Sequence, residues 1–126
     1  MLGELESEEG VVIGDLEAGL GTMLRLRGQR RDAVLVVTEP SGKAIEVARR
    51  AAATAAERGP VTVVANRIRD DADLEVIRET LGGYEIVVVP EDAAITQAEY
   101  DGVAPIDVAA DSPAVRAIAG LADRLF

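Results

Sequence analysis

Val11-Val-Ile-Gly-Asp15-Leu-Glu-Ala-Gly19-Leu-Gly21 reads as a strand running into a glycine loop. An apolar run without polar alternation has the pattern of a strand covered on both faces. Here it stops at a carboxylate, Asp15, and passes into a loop with glycines at Gly19 and Gly21. In an open α/β sheet the ligand crevice lies beyond the carboxyl ends of the strands. A lone Asp there can hold a metal-bound water, and glycines let backbone N–H groups approach an anion. Gly and Asp are also the commonest turn residues, so a plain strand and turn is the competing reading.

Downstream of this stretch, strand and helix patterns alternate. Ala33-Val-Leu-Val-Val-Thr38 is a second continuous apolar, β-branched run and ends in Glu39-Pro40-Ser41-Gly42. Residues 41–58 turn helical, with Ile45, Ala48, Ala52 and Ala55 or Ala56 on one face and Gly59-Pro60 as the stop. Val61-Thr-Val-Val-Ala65 is a third strand ending in Asn66-Arg67. Asp70-Asp71 then opens a helix with Leu74, Ile77 and Leu81 inward and Gly82-Gly83 closing it. Tyr84-Glu-Ile-Val-Val-Val89 is a fourth strand, ending in Pro90-Glu91-Asp92. A short helix from Asp92 to about Glu99 follows. The last helix starts at Asp111-Ser112-Pro113 and carries Val115, Ile118, Ala119, Ala122 and Leu125 inward.

This order predicts one α/β domain over residues 1–126, with a mostly parallel sheet, helices on both faces and residues 1–9 as an acidic lead-in. Four parallel strands would bring Asp15, Glu39, Asn66 and the Pro90-Glu91-Asp92 group to one edge of the sheet. That edge is the default ligand crevice.

Composition narrows the function. Aromatic residues are 2% of the chain, so the core must be aliphatic. The net charge of −10 disfavours nucleic acid and anionic membranes as partners. With no cysteine and no histidine, thiolate and imidazole chemistry are excluded, and any metal would be a hard, oxygen-bound ion such as Mg²⁺. The amino terminus lacks the basic and apolar regions of a signal peptide, and no apolar run reaches the roughly 20 residues of a membrane helix. A soluble, cytoplasmic chain is expected. Residues 22–31 form a basic island, with Arg25, Arg27, Arg30 and Arg31 among Met23, Leu24 and Leu26. They read as a solvated helix or as a cationic edge facing a phosphate or a partner subunit.

Taken in order, Val-Val-Ile-Gly-Asp15-Leu-Glu-Ala-Gly19, Leu-Val-Val-Thr-Glu39-Pro-Ser, Val-Val-Ala-Asn66-Arg and Val-Val-Val-Pro90-Glu91-Asp92 form a recognisable series. The series resembles the second half of the MinD/ParA-like P-loop ATPases, and among them the CooC branch, which assists metal insertion into carbon monoxide dehydrogenase. The resemblance covers nearly all of the chain from Val11 onward and implies a partial P-loop NTPase, Rossmann-like fold. It further implies that Asp15 is the Walker B carboxylate, acting on Mg²⁺ through water, and that Gly19 belongs to the switch loop. Asn66 would bond the adenine edge, and the Pro90-Glu91-Asp92 loop would border the base with backbone groups. ATP and Mg²⁺ are the cofactors of the family.

The departures bear on activity. Family members begin with a strand and a Gly-rich loop whose lysine and amides hold the phosphates, and the 126 residues contain no such segment. The chain's one lysine, Lys43, follows Ser41-Gly42 without the spaced glycines or the hydroxyl residue after it, and reads as a helix N-terminal residue. The Cys-x-Cys metal motif of the CooC branch is absent. The expectation is a member or fragment of an ATP-hydrolysing family, of the nucleotide-dependent regulatory or metal-cofactor-maturation type, inactive alone. The alternative is a non-catalytic binding or dimerisation module. The expected partner is a second copy or the missing amino-terminal half.

Overall fold

The structure, a computed structural model, describes residues 10–16 and 33–126. Among these, strands β1 (Val34–Thr38), β2 (Val61–Ile68) and β3 (Glu85–Pro90) alternate with α1 (Gly42–Ala56) and α2 (Asp71–Leu81). Helices α3 (Ala93–Asp101), α4 (Pro105–Val108) and α5 (Pro113–Leu125) follow. The sheet is wholly parallel in the order β1-β2-β3. Val34 stands opposite Val61 and Thr38 opposite Ala65, while Thr62 stands opposite Glu85 and Asn66 opposite Val89. The α/β class with helices on both faces is therefore as expected.

Local chemistry sets the helix boundaries. Ser41 in extended geometry accepts the Ala44 N–H at 3.3 Å and starts α1. Asp70 does the same for Asp73 N at 2.9 Å and starts α2. The alanines of α1 let it lie close on the sheet. Ile45, Ala48 and Ala52 pack with Val36, Val63 and Ala65, and α2 adds Ile77 and Leu81, both fully buried. Lys43 sits in the first turn of α1, as its sequence context indicated. On the opposite face α5 covers Val64 and Val89 through Ala114 and Leu121. Its inward stripe is Ala114, Ala117, Leu121 and Leu125. Val115, expected inward, is buried, whereas Ile118 and Ala119, expected inward with it, are exposed.

Two strand expectations are corrected. Residues 11–14 were expected as a strand buried on both faces. They have no strand structure, and Val11, Val12 and Ile13 are exposed, Ile13 at 79%. An apolar run becomes a buried strand only where a neighbour takes its backbone groups and layers cover its faces. The three-stranded sheet makes its ladders without this run. Ala33-Val-Leu-Val-Val-Thr38 likewise gives a strand buried on one face only. Val36 and Thr38 are inside, while Leu35 and Val37 are exposed, Val37 at 61%. A strand at the margin of a sheet shows the period-2 burial that its sequence lacks.

Candidate functional site

Three strand ends, in place of the expected four, converge at the carboxyl edge of the sheet. Glu39 follows β1, Asn66 and Arg67 lie in the last turns of β2, and Glu91 and Asp92 follow β3. Asn66 stands beside Val89 and is half-buried on the face that carries Val64. Pro90 continues the ladder opposite Ile68, and the Glu91 N–H donates to the Ile68 carbonyl at 2.9 Å. Asn66 and the Pro90–Glu91 backbone are thus brought together on adjacent strands. Asp15 is exposed and outside the sheet, and no hydrogen bond or ion pair links it to another described residue. Gly19 lies outside the described residues.

The strand β2 runs three residues past its expected end at Ala65, and the extension contains a bulge. The pairing skips from Asn66 opposite Val89 to Ile68 opposite Pro90. Arg67 is the extra residue, with φ at +60°. Left-handed geometry in a residue with a side chain is uncommon, and bulges of this kind re-aim a side chain at a sheet margin. Arg67 is aimed at both flanking strands. Its guanidinium pairs with Glu91 at 3.1 Å and Glu39 at 3.4 Å, so one cation bridges the ends of β1 and β3 from β2. Glu91 chiefly, and Glu39 second, raise the Arg67 pKa above its ordinary value. All three side chains are well exposed, so the clamp orders the edge more than it stabilises the fold. Sequence reading passed over Arg67. The signal available was a single basic residue at a strand end flanked by strands ending in Glu39 and Glu91.

Asp92 has a structural duty that sequence did not show. One carboxylate oxygen accepts the Ala94 N–H at 2.9 Å and the other accepts the Ala114 N–H at 2.9 Å, so a single side chain caps α3 and α5 together. The N–H groups of Ala114 first, and Ala94 next, hold its carboxyl below the usual range. With one bond to each oxygen, the carboxylate is fixed in place between the two helix starts. A similar arrangement opens α2. There Asp73 accepts the Arg69 N–H at 3.0 Å and its guanidinium at 3.0 and 3.2 Å, and Arg69 holds Asp73 below the carboxylate range.

A shallow depression of about 520 Å³ adjoins the edge, lined by Glu91 and by Ala93, Thr96, Gln97 and Tyr100 of α3. Among the described residues no three acidic side chains are gathered to hold a metal ion. The edge pairs an amide, which can donate and accept at once, with acidic side chains and with Arg67, which is already held by two carboxylates. Such an edge suits the hydrogen-bonding face of a neutral base.

No family model matches the chain. Over 113 residues it is 34% identical to a protein of Methanocaldococcus jannaschii described as an uncharacterized ATP-binding protein. The alignment takes in 86% of this chain and 43% of that protein, so the chain spans less than half the length of the relative it matches. Among the described residues no helix is long and apolar enough to cross a membrane.

Proposed function

We propose that this chain is the base-binding half of an adenine-nucleotide-dependent ATPase of the MinD/ParA-like type, closest to its CooC branch and of the regulatory or metal-cofactor-maturation kind. The observation that carries the reading is the juxtaposition of Asn66 with the Pro90–Glu91 backbone at the carboxyl ends of adjacent parallel strands. An amide in that place makes a bidentate pair with the adenine edge, whose amino group donates and whose ring nitrogen accepts. The similarity to an ATP-binding protein more than twice the chain's length supports the same reading. In it, the phosphate-binding residues belong to the remaining part of the relative's length. Asp15 and Gly19 join the site only when that part is present, Asp15 then holding Mg²⁺ through water.

The exposed Val11, Val12 and Ile13 and the exposed Leu35 and Val37 of β1 favour a partner that covers them, the amino-terminal half or a second copy. Phosphoryl transfer rests on positioning and charge neutralisation of the phosphates. The 126-residue chain is therefore expected to show no ATP turnover. Hydrolysis by the purified chain that is lost in Asp15→Ala would overturn the division of labour proposed here. Full absence of binding to adenosine would overturn the base site and leave the non-catalytic dimerisation module.

A further inference from the structure

Residues 93–112 leave the sheet after β3 and rejoin the body at α5, and almost nothing in this lobe is buried. Ala98 is its one buried residue. Ala94, Ile95, Pro105, Ala109 and Ser112 are half-buried, and Tyr100, Ile106 and Val108 are among the exposed ones, Tyr100 at 87%. Helices α3 and α4 pack chiefly on each other. Of the lobe's apolar residues, Ile95 is the one that reaches the cluster α5 forms with Val64 and Val89.

The hydrogen bonds divide the same way. Among the described residues, the lobe's turn bonds close on themselves. The Val103 N–H donates to the Ala98 carbonyl at 3.0 Å, Ala109 to Pro105 at 2.7 Å and Ser112 to Ala109 at 3.0 Å, and the Gln97 side chain bonds Asp101 within α3. The sheet's own bonding stops just before the lobe, with the Glu91 N–H on the Ile68 carbonyl. What ties the lobe to the body is Asp92. One of its oxygens holds the Ala94 N–H at the lobe's start, and the other holds the Ala114 N–H just past its end. A segment with little buried apolar surface and self-contained backbone bonding opens at a far lower free energy than a sealed core. Its opening costs chiefly the Asp92 pair and the Ile95 contact.

We propose that residues 93–112 swing from the sheet as one unit hinged at Asp92, while β1, β2, β3, α1, α2 and the body of α5 stay folded. The depression at the carboxyl edge is bounded by Glu91 on the sheet side and by Ala93, Thr96, Gln97 and Tyr100 on the lobe side. The swing therefore widens it, and the lobe is a lid on that side of the edge. A ligand that touches both borders holds the lid shut. The lid stands independently of the nucleotide reading.

Native-state hydrogen exchange of the 126-residue chain, read by nuclear magnetic resonance at rising but sub-denaturing urea, tests it. The amides of Ala98, Glu99, Tyr100, Asp101 and Val103 are expected to converge on one urea dependence. They should exchange about tenfold or more faster than those of Ile77, Leu81 and Val63, and with a smaller urea slope, because the opening exposes less surface than unfolding does. The Ala114 amide, bonded to Asp92 across the hinge, should follow the lobe, while that of Leu121 follows the core. Asp92→Asn leaves one acceptor oxygen for two helix starts and should speed lobe exchange roughly tenfold further. Should that variant fail to fold, the unmodified chain decides the matter through the shared slope and the Ala114 amide. Lobe amides that exchange with the core's rate and slope, that scatter without a common urea dependence, or that keep their rates in folded Asp92→Asn would each overturn the proposal. So would an Ala114 amide that exchanges with Leu121.

Discussion

The two faces of the sheet differ in how far they are closed. On one, α1 and α2 seal Val36, Val63 and Ala65, and Ile77 and Leu81 reach full burial. On the other, α5 covers β2 and β3 through Val64 and Val89, while Leu35 and Val37 of β1 remain exposed. The closed face accounts for the fold. The open one, together with the exposed Val11, Val12 and Ile13, is apolar surface of the kind that marks an interface. A nearly continuous aliphatic run is thus compatible with both conditions, and what separates them is the presence of a covering layer.

The sharpest way to break this contrast is to truncate one residue on each face. Ile77→Ala removes a fully buried side chain and should cost about 2–5 kcal/mol in chemical denaturation. Val37→Thr, on the open face, should stay within about 0.5 kcal/mol. Comparable losses at both positions would mean that the open face is covered in solution.

A second, smaller effect concerns the joint between the faces. Asp92→Asn leaves one acceptor oxygen where two helix starts need it, and should lower the melting temperature by roughly 5–10 °C. Asp92 and Asp73 both titrate below their ordinary values in the folded chain. A depressed folded-state pKa stabilises the fold above the unfolded value, near 4, and that contribution disappears as pH falls through the folded values. Melts should therefore be flat from about pH 7 to 5 and fall below about pH 4, and Asp92→Asn should soften that acid decline. A decline that the substitution leaves unchanged would remove Asp92 from the account.

How much of this was legible depends on the range of the interactions. Helices α1 and α2 were readable because Ser41, Asp70, the alanine stripe and Gly82 act within one or two turns. The carboxyl-edge placement of Asn66 and the Pro90 loop followed from strand–helix alternation alone. The double cap at Asp92 was not legible, since its second partner, Ala114, is 22 residues away. Nor was the bulge at Arg67, since in Asn-Arg-Ile the type that tolerates φ at +60° is Asn66 while the residue that adopts it is Arg67, and the partners Glu39 and Glu91 follow other strands. Helix α4 escaped because Pro105 signals a helix start only when the chain after Gly102 has turned. The run at residues 11–14 misled for the opposite reason. Its composition suits burial, and burial needs a neighbour that composition does not reveal.

The smallest expected effect bears on the site. Asn66→Ala should weaken adenosine binding by about three- to tenfold, the worth of one or two hydrogen bonds, and leave the melting temperature within a degree or so. Arg67→Gly relieves the left-handed residue and releases Glu39 and Glu91. Its signature should be broadened amide resonances at the three strand ends, with the affinity of Asn66 for the base reduced by less than in Asn66→Ala.

The most direct test of the central claim, that the described edge recognises the base and not the phosphates, is a nuclear magnetic resonance titration of the 126-residue chain with adenosine and with ATP. The account predicts millimolar affinity for both, with shifts centred on Asn66 and on Glu91 and Asp92, and near equality between the two ligands. Micromolar binding of ATP that survives Asn66→Ala, with adenosine inert, would contradict it.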